Sequence, residues 1–273
     1  MGKVTKISWA TSSHNFWYGC QKVSPECAYC YAERWAKRTG RDFANVTRVK
    51  DFTAPLRWPE PKVIFTCSLS DFFVKEADAW REEAWEVIRK AYWHTWLILS
   101  KRWSRVIPEA DIPWVKEKTA PWPHVVLGAS AGNQRMLDWQ LPLMHRVPAA
   151  RYFLSAEPLL GPIDLSKWMD ACAYGHRPER AKVDCVIVGG ESGGPEYRRL
   201  VRPHECAAAL RRDCLFDGHK WEPKPTALQW VRSIRDQCAD AGVTFHLKQW
   251  GGPKPDSGGA MLDGREWRQF PGK

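Results

Sequence analysis

The sequence has no long apolar run. No stretch of its 273 residues approaches the roughly 18 to 20 consecutive apolar residues that a membrane-spanning helix requires, so no membrane partner is expected. The opening residues, MGKVTKISWA, lack an apolar stretch followed by a cleavage site. A secretory leader is therefore not expected, and the expected compartment is the cytoplasm. Nine cysteines make an odd count in a reducing compartment, which argues against a disulfide framework and for metal or redox chemistry. No internal repeat or low-complexity block appears, so a solenoid is not expected. There is no acidic surplus either: 41 Lys and Arg face 31 Asp and Glu, a net charge of +10, which favours a polyanionic partner such as nucleic acid or a nucleotide. Seventeen Trp supply flat apolar faces for packing and for stacking on a base, most of them expected in the core.

Short apolar runs recur along the chain: Lys6 to Ala10, Lys62 to Cys67, Thr95 to Ser100, His124 to Ser130, Arg151 to Glu157, Asp184 to Gly190 and Val243 to Trp250. Near-continuous apolar runs of this length suit strands buried on both faces, as in a parallel sheet. Between them lie amphipathic segments. Residues 76 to 93 place Ala79, Trp80, Ala84, Trp85, Ile88 and Ala91 on one helical face; 226 to 242 place Leu228, Val231, Ile234 and Cys238 inward, with Gly242 as the stop. A further helix is expected over Tyr31 to Arg38. The pattern predicts a single α/β domain over 1–273, a barrel or an open sheet. Loop-rich excursions are expected at about 171–182 and 197–224, with a Gly/Pro-rich tail at 251–273.

Three cysteines fall within GCQKVSPECAYCYAERWAKR: Cys20, Cys27 and Cys30, with six and then two residues between them. Three thiolates on one loop can hold three corners of an iron–sulfur cluster and leave a fourth iron open to another ligand. The competing arrangement is structural zinc on Cys20, Cys27, Cys30 and His14, in a nucleic-acid-binding protein without catalysis. The blandest reading is three buried thiols.

The run CAYCYAE, with Tyr29 just before the last cysteine, resembles the cluster loop of radical S-adenosylmethionine (SAM) enzymes, although the usual first gap there is three residues. Together with FLSAEPLLGPI, VIVGGESG and HLKQWGG, it is similar to a phage-associated three-cysteine family distantly related to spore photoproduct lyase. The resemblance implies a partial (β/α)6 barrel with a C-terminal extension, in the host cytoplasm if phage-encoded. It also implies a [4Fe-4S] cluster on Cys20, Cys27 and Cys30, with SAM bound to the open iron and an external electron donor. The implied activity is hydrogen abstraction of isomerase or lyase type. The expected substrate is a nucleic-acid component, with a modified thymine base in phage DNA as the instance named.

In such a barrel, functional side chains stand at the C-terminal strand ends. Those ends carry Ser68, Ser70 and Asp71; Ser130 and Asn133; Ser155 and Glu157; Glu191 and Ser192; Lys248 and Gln249. The resemblance implies SAM contacts from Asp71, Ser130, Asn133 and Glu157, and Tyr29, Ser68 and Ser70 join them as cofactor-site candidates. Glu191 and Lys248 are the catalytic candidates. Helix capping and turn formation are the competing roles for every Ser, Asp and Asn among them. Arg198, Arg199 and Arg202, followed by Arg211 and Arg212, form a basic cluster suited to phosphates or to a solvated face. Gly190 to Gly194 also fits the G-x-S-x-G elbow of a serine hydrolase, with Ser192 as nucleophile and Asp236 or Asp240 and His246 as partners.

Overall fold

The computed structural model describes residues 5–169, 182–204 and 220–269. Seven strands form one sheet whose spatial order is the chain order. They are β1 (Ser12–His14), β2 (Val63–Thr66), β3 (Thr95–Ser100), β4 (Val125–Ser130), β5 (Arg151–Ala156), β6 (Cys185–Gly189) and β7 (Thr244–Gln249). The pairs β1–β2, β2–β3, β3–β4 and β6–β7 are all parallel. Strands β4 and β6 are buried along their whole length, which is why they read as unbroken apolar runs. Helices α1 (Tyr31–Arg38), α2 (Asp78–Lys90), α3 (Gln134–Met144) and α4 (Pro225–Asp240) alternate with the strands. The fold is mixed α/β with a parallel sheet.

One strand is displaced from its expected position. The apolar run at Lys6 to Ala10 is a turn, closed by Ala10 N–H donating to the Ile7 carbonyl, and the strand begins two residues later. Ser12, Ser13 and His14 are polar yet buried, so an apolar-run criterion passes over them.

The described residues pack as two compact units. The first holds the residues up to Ser130 together with Trp139–Phe153; the second holds Ala131–Asp138 and the residues from Leu154 onward. The first unit has an aromatic core in which Phe16, Trp17, Phe72, Trp96, Trp103 and Trp114 are almost completely buried. Most of its buried indole N–H groups are spent on backbone carbonyls, that of Trp9 being left without a hydrogen-bond partner. Trp17 donates to Asp71 at 3.0 Å, Trp103 to Gly128 at 3.0 Å and Trp96 to Ala91 at 3.1 Å, which lets these rings enter the core without an orphaned donor. The inward face of α2 is set by Ala84, Trp85, Ile88 and a buried Arg81, while Ala79 is exposed and Trp80 half-buried. Arg81 is tolerated there because it donates to the Phe72 and Val74 carbonyls at 3.1 and 2.7 Å and pairs with Asp78 at 2.6 Å.

In the second unit, Val231, Ile234 and Cys238 of α4 are fully buried, and Gly242 ends the turn after the helix at φ +62°. The first excursion lies outside the described residues except for Lys182. The second is described at its two ends, where Val201–Pro203 and Trp221–Pro223 pair as an antiparallel hairpin. The tail contains a second small pair, Met261–Leu262 with Arg265–Glu266. It then lies along β7, where Leu247 N–H donates to the Trp267 carbonyl at 3.0 Å, covering a strand edge that would otherwise offer unpaired amides. Among the described residues, no helix is long and apolar enough to cross a membrane.

Candidate cofactor site on the cysteine loop

Gly19 starts the cysteine loop at φ +92°, and a Cβ there would stand 2.7 Å from the Asn45 carbonyl oxygen and 2.9 Å from that of Phe43. Only glycine fits. The next residue is pinned in turn, since Cys20 N–H donates to the Phe43 carbonyl at 2.8 Å. A short 3-10 turn, Pro25–Cys27, then fills the long gap between the first two cysteines, with Ser24 Oγ 3.4 Å from Cys27 Sγ. Cys30 is the residue that leads into α1. All three thiols are free and half-buried.

The loop after β2 holds the cysteine loop in place. Cys67 adopts a left-handed φ of +56°, uncommon for a non-glycine residue, and so turns the chain at the strand end. Around that turn, Tyr31 Oη donates to the Ser68 carbonyl and Ser70 Oγ to the Gly19 carbonyl. Asn15 Nδ2 donates to Ser68 Oγ at 3.2 Å, and Asn15 Oδ1 accepts from Leu69 N–H at 2.7 Å. Ser68 and Ser70 thus act as staples between loops. Asp71 is a buried brace: Oδ1 accepts from Phe73 N–H at 2.9 Å and Ser100 Oγ at 2.8 Å, and Oδ2 accepts from Lys101 N–H at 2.9 Å. It ties the end of β2 to the end of β3.

Arg102, just past β3, places its Nη2 3.6 Å from Cys20 Sγ and 2.7 Å from the Gln21 carbonyl. Its Nε is buried with no hydrogen-bond partner. Burial, and then the Asp71 carboxylate, push the Cys20 thiol up to about 11, while Arg102 pulls the other way. As it stands, Cys20 is a neutral thiol whose deprotonation would be favoured by an added positive group. Sequence reasoning passes over Ser100 and Arg102, although the strand-end rule applied to β3 picks out both.

Among the described residues, no three His, Cys, Asp or Glu side chains are gathered closely enough to hold a metal ion. Cys20, Cys27 and Cys30 are nonetheless three free thiols within eleven residues, with Cys20 beside a guanidinium that carries an unpartnered buried N–H. His14 is committed to the core. Its Nε2 donates to the Phe52 carbonyl at 3.0 Å, its ring stands edge-on to Phe16, and burial lowers its pKa to about 4. Tyr29 lies exposed on the loop, and Ser130 is buried at the end of β4.

The remaining candidates belong to the second unit. Asn133 Oδ1 accepts from Met136 N–H at 3.0 Å and so caps α3. Glu157, just beyond β5, pairs through Oε1 with Lys248 Nζ at 2.8 Å and accepts from Ser155 Oγ at 3.1 Å. Gly189 makes room for it, since a Cβ there would stand 2.6 Å from Glu157 Oε1. Glu191 makes a separate pair, its Oε2 2.6 Å from Arg198 Nε and its Oε1 3.2 Å from Nη2. The structure therefore places the catalytic candidates Glu191 and Lys248 in two distinct ion pairs.

The basic cluster is half-buried and paired within the chain. Arg199 Nε donates to the Gly194 carbonyl at 2.9 Å, and Arg202 Nε pairs with Glu222 at 2.8 Å across the hairpin, so Arg198, Arg199 and Arg202 all have partners within the chain. Arg211 and Arg212 lie outside the described residues. Ser192 Oγ accepts from Gln249 Nε2 at 2.7 Å. His246 lies mid-strand opposite Ile187, with Nδ1 donating to the Gln269 carbonyl and burial lowering its pKa to about 4, and Asp236 pairs with Arg235.

The comparison with known families is decided by coverage. A family described as "Protein of unknown function (DUF5131)" matches residues 4–222 and 217–271, nearly the whole chain. The chain belongs to the DUF5131 family. For this DUF5131 protein, no curated protein and no solved structure matches.

Proposed function

We propose that this DUF5131 protein is a radical SAM enzyme of isomerase or lyase type that acts on a nucleic-acid component, such as a modified thymine base in phage DNA, in the host cytoplasm. The reading takes its parallel sheet as the partial (β/α)6 barrel of radical SAM type with a C-terminal extension. The observation that carries it is the cysteine loop: three free thiols in the segment between β1 and α1, one of them against Arg102 with its buried, unpartnered Nε.

In this reading Cys20, Cys27 and Cys30 hold a [4Fe-4S] cluster. With SAM and an external electron donor, the bound group supplies one-electron chemistry that removes a hydrogen atom from an unactivated carbon. The chain's own residues position and balance charge. Arg102 offsets the negative charge of the Cys20 thiolate, whose proton must leave on ligation. Asp71, Ser70 and Tyr31 fix the loop by the hydrogen bonds described above. Glu157 and Lys248 hold a carboxylate and an ammonium 2.8 Å apart at the ends of β5 and β7, polar groups suited to orienting a substrate. A base within a duplex must leave its stack to reach a site at strand ends.

Anaerobic, reduced protein is expected to cleave SAM, and Cys27→Ala is expected to abolish that cleavage. Cleavage that persists at the wild-type rate in Cys27→Ala would sink the assignment.

A further inference from the structure

Beside Gly19 and on the same unit as the cysteine loop lies a pocket of about 140 Å³ lined by Tyr18, Trp35, Arg41, Asp42, Asn45 and Thr47, among other residues. Tyr18 and Trp35 form its aromatic side, their ring centroids 5.5 Å apart. The Arg41 guanidinium lies over both rings, 5.3 Å from the Tyr18 centroid and 5.5 Å from that of Trp35. Arg41 is exposed and has no carboxylate partner among the described residues. This contrasts with Arg198, Arg199 and Arg202, each held by a group of the chain itself.

Flat aromatic faces next to a free guanidinium match a specific ligand chemistry. A nucleobase can stack on the rings in place of the guanidinium that now lies over them, which is then released to meet its phosphate. Asp42 and Asn45 on the rim add a carboxylate and an amide within reach of a base edge, though Asp42 Oδ1 also accepts from Ala44 N–H at 3.0 Å. The pocket is too small for a duplex end and large enough for one base. We propose that it is a subsite for a nucleoside phosphate, with the base against Tyr18 and Trp35 and the phosphate on Arg41. From the proposed function it takes only the expectation of a nucleic-acid substrate, and it places the contact on residues other than Arg198, Arg199 and Arg202.

The test is binding of the full chain to a fluorescein-labelled single-stranded oligothymidylate, followed by anisotropy, with thymidine 5′-monophosphate and an unlabelled duplex as competitors. Arg41→Gln is expected to weaken binding about tenfold, the size of one charge-assisted contact to phosphate. Lys254→Gln, which removes an equal charge from an exposed site elsewhere, is expected to leave binding nearly unchanged. Trp35→Leu is expected to weaken binding by at least fivefold and Trp35→Phe to restore most of it, because the stacking face returns. Competition by the monophosphate assigns the site to free nucleotides, and competition by the single strand alone assigns it to a polymer. Absent binding, equal losses in Arg41→Gln and Lys254→Gln, or no rescue by Trp35→Phe overturns the proposal. Repeating the measurement in Cys27→Ala separates the two readings: the subsite predicts unchanged oligonucleotide binding whether or not a cluster forms.

Discussion

Replacing Asp71 tests whether it braces the fold or waits for a ligand. Its carboxylate accepts from two backbone N–H groups, those of Phe73 and Lys101, and from the Ser100 hydroxyl, at 2.8 to 2.9 Å. It is 7% exposed, so water cannot readily replace these bonds. In Asp71→Asn the retained oxygen can serve Phe73 and Ser100, but the new amide group faces Lys101 N–H, donor against donor. One orphaned buried amide costs about 1–3 kcal/mol, and loss of the charged acceptor adds roughly 1 kcal/mol, so the expected loss is about 2–4 kcal/mol. Asp71→Ala orphans all three donors and is expected to lose more. The assay is urea unfolding followed by tryptophan fluorescence, with stability taken from midpoint and slope. The same substitution removes a negative charge that raises the Cys20 pKa, so iodoacetamide should modify Cys20 at lower pH in Asp71→Asn than in the wild type. Stability within about 0.5 kcal/mol of wild type would refute the brace and return Asp71 to the role of a free ligand contact.

Two further predictions concern the scaffold. Gly19→Ala forces a Cβ within 3 Å of two backbone carbonyl oxygens at a positive φ, and is expected to cost about 2–4 kcal/mol and to lower cofactor loading more than Gly40→Ala, where a Cβ meets nothing within 4 Å; equal effects would contradict the pinned turn. Acid should destabilise the fold before the carboxylates titrate: burial lowers His14 and His145 to about 4, so their contribution is fully present above pH 6.5 and is lost as pH falls toward about 4, at roughly 2 kcal/mol each by pH 5. A urea midpoint unchanged between pH 7 and pH 5 would count against it.

The parallel sheet was legible because β4 and β6 are buried along their whole length and β2, β3 and β5 over most of theirs, so that each carries a short apolar run. β1 was not, because three buried polar residues form it. Helix α1 was read at its observed limits, whereas the phase of α2 was missed at Ala79 and Trp80, since a buried Arg81 supplies the inward position by bonding to carbonyls that no sequence pattern displays. At the candidate site the cysteines announced themselves by spacing. Their setting did not: Arg102 reaches Cys20 because β1, β2 and β3 lie side by side, a contact across 82 positions of sequence. Arg198, Arg199 and Arg202 looked like a phosphate-binding cluster because sequence shows charge and not pairing, and Glu191, Glu222 and the Gly194 carbonyl take them up. Most of the buried tryptophans proved to be core residues whose N–H groups end on carbonyls.

The central claim is tested most directly by the metal content of protein purified without oxygen. Three cysteinyl ligands and one open site predict a brown protein with about four irons and about four acid-labile sulfides per chain, lost in Cys20→Ala, Cys27→Ala and Cys30→Ala alike. A colourless protein carrying one zinc, or iron retained after all three substitutions, would contradict it.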